Sequence, residues 1–470
     1  MTHIKMAWAA LGGDPALVSR ISTVARPGAL EARLPVRELA RACVGACALA
    51  AAELGARRAG LAEVPGVRVD DGAIATAFVS ERHLLIDGRA PVSFAPLSRF
   101  WRTIDGWVRT HANYPHHRAR LLGALKLPGD ASVEDVAEVL AERPALEVED
   151  TVYGAGGLAV ALRTAEGWAS HPQGAAVAGR PLVERERLGS ARARVLPPLD
   201  GAPLLPAAGL RVLDLTRVIA GPVATRTLAL LGADVLRVDA PRLPEDPDAH
   251  ADTGFGKRST QLDLGTAADR RTFEELLARA DVVVTGYRPG ALDRFGLSPE
   301  TLVDRRPGLI VAQLSAWGAY EPWGDRRGFD SLVQVATGIA AIEGVGGTEG
   351  SPEQPGALPA QALDHGTGYL LAGAVLRALT EQSEQGHSLV LRLALARTAA
   401  WLTADGAGER GAAAHESRGT AYNQPDAWLV ETDSGIGRLR HALSPVSFVG
   451  GPANWARPPG RWGTDPARWA

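Results

Sequence analysis

Leu210-Arg-Val-Leu-Asp-Leu-Thr-Arg-Val-Ile-Ala-Gly-Pro222 runs from an apolar, strand-like segment into a glycine-proline turn; a helical stretch over 225–231 and a second strand-like run, Asp234-Val-Leu-Arg-Val238, follow. Short runs rich in Val and Leu, separated by helix-length segments, predict βαβ units, because parallel strands must be joined by a crossover that covers the sheet. The alternation continues outward through a helix over 267–280, Asp281-Val-Val-Val-Thr285, Leu309-Ile-Val-Ala-Gln313, a helix over 367–382 and Ser388-Leu-Val-Leu-Arg-Leu393. The expected class is therefore α/β, with a doubly wound, Rossmann-like parallel sheet core over 207–405.

Upstream, 34–190 mixes Ala/Leu-rich helical stretches with short apolar runs, and 191–206 breaks the pattern with Pro197, Pro198, Pro203 and Pro206, which marks a linker. Leu34-Pro-Val-Arg-Glu-Leu-Ala40, with its helix to Leu54 and Gly66-Val-Arg-Val-Asp70, overlays Leu358-Pro-Ala-Gln-Ala-Leu-Asp364 and the helix and strand after it without a gap. An internal repeat gives this picture, with Ala40 opposite Asp364, and so do two unrelated helices rich in Ala and Leu.

A chain of 470 residues that is 46% hydrophobic has cores for two or three domains. Its net charge of -3 supplies no broad field to gather nucleic acid or an anionic membrane, so any anion must be held locally. The start, Met1-Thr-His-Ile-Lys5, lacks a basic region followed by a long apolar core, which predicts a cytoplasmic protein. The apolar stretch from Ala42 to Ala52 is too short to span a bilayer and reads as a buried helix, with Cys43 and Cys47 as buried thiols poorly placed for a disulfide.

Val212-Leu-Asp-Leu-Thr216 leads into Arg217-Val-Ile-Ala-Gly221-Pro222 at the carboxyl end of a strand, where an open α/β sheet binds ligands beside free helix N–H groups. Further strings follow in order. They are Leu231-Gly-Ala-Asp-Val-Leu-Arg-Val-Asp239, Gly256-Lys-Arg-Ser259 before Leu262-Asp-Leu264, Gly286-Tyr-Arg-Pro-Gly-Ala-Leu-Asp-Arg-Phe-Gly296, Phe329-Asp330 with Gln334 and Gly338, and Ala362-Leu-Asp364 with Gly366 and Gly368. The ordered set resembles the family III CoA-transferases, the group of formyl-CoA:oxalate CoA-transferases, carnitine CoA-transferases and α-methylacyl-CoA racemases.

The resemblance implies that Val218, Ile219 and Ala220 lie against coenzyme A, that Tyr287, Ala291 and Arg294 border its adenine and phosphates, and that Asp364 is the catalytic carboxylate. Arg294, Arg258 and Lys257 suit phosphate as charge-assisted donors; taken singly each reads as a surface cation with no ligand, and at these motif positions the reading is phosphate binding. An Asp that opens an apolar helix is ordinarily an N-cap, so Asp364 has a structural reading beside the catalytic one. Gly366 and Gly368 are costly in a helix and predict a close approach to its backbone, whereas His365 points away from Asp364 and reads as scaffold. As a nucleophile, ionised Asp364 attacks the thioester carbonyl of an acyl-CoA, giving an aspartyl anhydride and CoA thiolate. Return of the thiolate gives an aspartyl-CoA thioester, from which an acceptor carboxylate takes the CoA. Amides around Gly366 and Thr367 are the expected oxyanion donors, and no permanent cofactor is implied.

The sequence also departs from the family. Racemases pair the aspartate with a histidine directly before the Asp330 position, and Phe329 stands there, which disfavours two-base proton exchange. The family's small domain is missing after the core. Phe100-Trp-Arg-Thr-Ile-Asp-Gly-Trp107, Pro115-His-His-Arg-Ala-Arg-Leu-Leu122 and Glu166-Gly-Trp-Ala-Ser-His-Pro-Gln-Gly174 resemble it instead. The expected order is thus a truncated core-like helix and strand segment over 1–90, a smaller α+β domain over 91–190, the linker, the core, and over 406–470 a tail with a closing segment. His111, His116 and His117 match no common metal spacing, so no metal is expected. Gly344 to Gly350 follows no strand and reads as a loop, and the first βα turn lacks the G-x-G-x-x-G of an NAD(P)-dependent oxidoreductase. The expected protein is a homodimeric CoA-transferase acting on an acyl-CoA and a carboxylic acid. A catalytically silent acyl-CoA-binding protein and an acyl-CoA racemase or isomerase are the alternatives.

Overall fold

A computed structural model describes residues 2–91, 94–347, 352–404, 416–418 and 420–470. The polar stretch 405–415 and residues 348–350 of the glycine-rich loop lie outside the described residues. The central layer is a seven-stranded sheet in the order Arg258–Gln261, Asp234–Asp239, Arg211–Leu215, Val282–Thr285, Ile310–Ser315, His387–Ala394, Glu184–Ser190. The first six strands are parallel. Their near-continuous Val/Leu runs are what a sheet covered on both faces requires. Arg211–Leu215 lies between the next strand in the chain and the one that returns on its other side, so it marks the switch point. The crevice at its carboxyl end is where such a sheet takes ligands.

Two details differ from the sequence reading. Glu184–Ser190 pairs antiparallel with His387–Ala394 and forms the sheet's edge, so these residues belong to the core rather than to the small domain. Its Glu-Arg-Glu-Arg start hid it, because an edge strand open on one side needs no unbroken apolar run. The third string is a strand at Arg258–Gln261, earlier than the Leu262-Asp-Leu264 run suggested.

The long N-terminal helix Val36–Ala59 packs along the helix Ala362–Gln382. Small residues let the two approach closely: a Cβ on Gly373 would lie 3.2 Å from Cys47 Cα, and one on Gly366 3.4 Å from Cys43 Sγ. Both thiols are fully buried on this seam, and burial pushes Cys47 up to about 12. The helix extends well beyond Ala42–Ala52 and is long and apolar enough to cross a membrane by length and composition. Its apolar window is almost wholly buried inside the fold, as in a core helix. Each long helix runs on into a parallel strand and then a helix, Val67–Asp70 with Asp71–Ala77 in one case and His387–Ala394 with Leu395–Ala404 in the other. Val67–Asp70 belongs to a separate parallel sheet with Ile21–Ala25 and Glu416–Arg418.

Phe100–Arg102, Trp107–Thr110 and Ala159–Ala161 form a small antiparallel sheet. With the helices Pro115–Ala124, Val133–Ala141 and Ala145–Gly154 it encloses its own apolar core around Trp101, Val108, Leu121, Leu140 and Val152. This α+β unit is seated on the large core. The His111 ring stacks on Phe329 with centroids 3.7 Å apart. At Gly338 the backbone has φ of 86° and a Cβ would lie 2.4 Å from the amide nitrogen of Ala165, so only glycine fits that junction. The C-terminal residues return to the sheet, where Trp455 donates to the Arg226 carbonyl at 2.8 Å and Trp462 to Asp239 at 2.9 Å.

Candidate active site

The helix Ala362–Gln382 starts after Gln361, whose side chain makes no cap. The cap comes from the neighbouring helix Asp330–Ala336: the Asp330 carboxylate accepts the N–H of Asp364 at 2.9 Å. Gln334 donates to the other Asp330 oxygen and itself accepts the Leu358 N–H at 2.9 Å. Asp364 is therefore not its own helix's cap. Its carboxyl has no hydrogen-bond partner among the described residues, is 6% exposed and lines the cleft described below.

Burial pushes the Asp364 carboxyl well above the usual carboxylate range, and the charges of Asp330 and Glu81 push the same way. Burial raises Asp330 too, but bonds from the Asp364 amide and Gln334 oppose the rise. The pair thus resists carrying two negative charges, and Asp364, without donors, takes the larger share of the proton. Glu81, which the sequence reading missed, comes from the N-terminal segment; burial first and Asp252 second push it up to about 7.

The close approach expected at Gly366 and Gly368 is protein on protein. Gly366 meets Cys43, and a Cβ on Gly368 would lie 2.5 Å from the Ala220 carbonyl oxygen. The helix bearing Asp364 is thereby set directly against the helix Ala220–Leu230 that follows the first loop. Gly366 and Thr367 lie beyond the first helical turn, where N–H groups point back to carbonyls one turn earlier. They are not free oxyanion donors, which corrects that expectation. His365 stacks on Phe78 with centroids 5.1 Å apart, and burial keeps it neutral, so it packs rather than titrates.

A cleft of about 970 Å³ opens at the switch point. It brings together Val218 and Ala220 of the first loop, Tyr287, Ala291 and Arg294, and Asp364. Three of the residues singled out from sequence lie elsewhere. Ile219 packs into the large apolar core. Lys257 is buried, with Nζ 3.0 Å from Asp214 and donating to the Pro222 carbonyl at 3.0 Å. Burial lowers its pKa to about 8 against the pull of Asp214. Lys257 braces the first loop from beneath instead of meeting a phosphate. Arg258 pairs with Asp234 at 2.7 Å and donates to the Arg468 carbonyl, so it fastens the C-terminus.

The cations that do line the cleft include Arg294, Arg120 of the small domain, Arg288 and Arg327. None of these four is ion-paired among the described residues. Arg120 and Arg288 donate only to the carbonyls of Gly156 at 3.1 Å and Asp325 at 3.3 Å. Desolvation, and then the charges of Arg288 and Arg120, lower the Arg327 pKa. Guanidiniums gathered without counter-charges form a site for an anion. Sequence reading missed Arg120, Arg288 and Arg327 because nothing local marks an arginine as unpaired. His117 also lines the cleft, and burial lowers it to about 3, so it stays neutral. No cluster of His, Cys, Asp and Glu fit to hold a metal occurs among the described residues.

Fold and site define a doubly wound α/β protein with a desolvated carboxyl in an arginine-lined cleft at the switch point. Residues 207–432 match the model of CoA-transferase family III, and the chain is similar to named CoA-transferases. It is 32% identical over 334 residues to an acetyl-coenzyme A transferase of Hypoxylon pulicicidum, covering 67% of this chain and 55% of that protein. It is 36% identical over 216 residues to a probable fatty acyl-CoA transferase of Mycobacterium tuberculosis, covering 43% and 54%. With the beta subunit of a succinyl-CoA–L-malate CoA-transferase of Chloroflexus aurantiacus the identity is 34% over 203 residues, covering 41% and 49%. The chain spans about half the length of the curated relatives it matches.

Proposed function

We propose that this protein is a CoA-transferase that moves CoA from an acyl-CoA thioester to a carboxylic acid, with Asp364 as the acyl-accepting group. The observation that carries the reading is the Asp364 carboxyl itself, released from capping by Asp330 and lining a cleft whose walls include Arg120, Arg288, Arg294 and Arg327, none ion-paired among the described residues. A desolvated carboxylate that accepts no hydrogen bonds is a stronger nucleophile than a solvated one. The arginines suit the phosphates of CoA.

In this mechanism ionised Asp364 attacks the thioester carbonyl, the C–S bond breaks, and CoA thiolate leaves behind an aspartyl anhydride. The thiolate attacks the aspartyl carbonyl and expels the donor as a carboxylate. The acceptor carboxylate then attacks the aspartyl-CoA thioester, releasing the thiolate, which takes the acceptor's acyl carbon and restores Asp364. The small domain's contribution to the cleft walls supports exclusion of water from the anhydride. Phe329, stacked on His111, supplies no second base, which counts against a racemase.

The test is mass spectrometry of the intact protein after incubation with a panel of acyl-CoAs, followed by hydroxylamine. A hydroxamate at Asp364 supports the transferase. A protein that binds CoA but is never modified is the silent binding protein. A cytoplasmic homodimer remains part of the proposal, to be checked by cell fractionation and sedimentation.

A further inference from the structure

Val218, in the first loop, has φ of 70°, a left-handed conformation that is an outlier for a β-branched residue. Such strain persists only where the surroundings over-determine it. The surroundings here converge on Glu245, which is 6% exposed. The Val218 N–H donates to Glu245 Oε2 at 3.5 Å, and Arg217 donates to the same carboxylate at 3.4 Å through Nε and Nη2. Arg237 donates to it at 2.9 Å, and Tyr114 of the small domain donates its hydroxyl at 2.9 Å. The Arg217 guanidinium also lies 5.1 Å from the centre of the Tyr114 ring and donates to the Pro244 carbonyl at 2.9 Å. One carboxylate thus ties the strained loop, the sheet and the small domain together.

We propose that Glu245 is a positioning residue that clamps Arg217 and Val218 in the strained conformation, and that Tyr114 makes this clamp depend on the seated small domain. The inference rests on the reading of the first loop as a CoA contact. It adds that the loop is shaped for CoA only while the small domain is in place. Burial alone would raise the Glu245 carboxyl, but Arg237 and Arg217 outweigh it and hold it at about 2, so the clamp is charged throughout the neutral range.

The test uses the full chain and two readouts, calorimetric affinity for CoA and tryptic cleavage after Arg217. Glu245→Gln should weaken CoA binding by roughly tenfold or more, the scale of one strained residue released, and should expose the Arg217–Val218 bond to trypsin. Adding Val218→Gly to it should restore affinity to within a few-fold, since glycine takes this φ without penalty. Tyr114→Phe, which spares the core pairing of Arg237 with Asp239, should give the same loss in weaker form. Wild-type affinity and protection in Glu245→Gln, or a double variant no tighter than the single, would overturn the clamp. Should the wild type bind no CoA, the transferase reading fails, and protection of Arg217 still decides the clamp.

Discussion

Asp330 Oδ2 accepts the N–H of Asp364 at 2.9 Å, so one carboxylate caps the helix and leaves the other to face the cleft. Two acidic side chains are thereby given different tasks by one hydrogen bond. An aspartate held by its own helix amides would lose nucleophilicity.

Replacing Asp364 with Asn should abolish CoA transfer and leave no hydroxamate, because an amide cannot attack a thioester. It should also stabilise the protein. A carboxyl raised in the folded state binds its proton more tightly there than in the unfolded chain, so it costs stability as pH rises above the unfolded value near ~3.9. Thermal unfolding should show Asp364→Asn melting above wild type at neutral pH and level with it below about pH 4. A variant less stable at neutral pH would return Asp364 to a structural role.

The rate should rise with pH as Asp364 loses its proton. Asp330→Asn removes a neighbouring negative charge that raises Asp364, so the acid limb of kcat/KM should move to lower pH. Loss of the charged cap should cost roughly 1–2 kcal/mol of stability. An unmoved limb would show that the two carboxyls titrate independently.

Arg294→Ala should weaken CoA binding by about 1.5–3 kcal/mol with little change in unfolding temperature, because the guanidinium has no ion-pair partner among the described residues to leave behind. Titration with CoA and with dephospho-CoA separates its phosphate partner. Equal affinity of wild type and variant for both ligands removes Arg294 from the site.

Gly368→Ala should be damaging although Gly368 touches no substrate, since the added Cβ would meet the Ala220 carbonyl oxygen at 2.5 Å. Backbone cannot swing aside as a side chain can, so a loss of roughly 1–3 kcal/mol is expected, with a raised KM for acyl-CoA from a displaced first loop. Thermal melting and steady-state kinetics check both. A silent substitution would mean that the two helices slide freely.

The sequence alone determined the parallel core, because its strands are buried on both faces and so are written as apolar runs at helix-length intervals. It also determined where Asp364, Tyr287, Ala291 and Arg294 fall, since they sit in ordered local strings. Tertiary structure decided what those residues touch. The charged edge strand Glu184–Ser190 carries no apolar pattern and is recognised only beside His387–Ala394. Lys257 and Arg258 read as phosphate ligands until Asp214 and Asp234, each in a different strand, are seen to hold them. Asp364 reads as a cap until Asp330 is seen to take that role, and Arg120, Arg288, Arg294 and Arg327 lack an ion-pair partner among the described residues only by virtue of what packs around them. Burial patterns are periodic along a chain and therefore legible in it. Charge pairing and proton affinity depend on distances between segments remote in sequence, which folding alone sets.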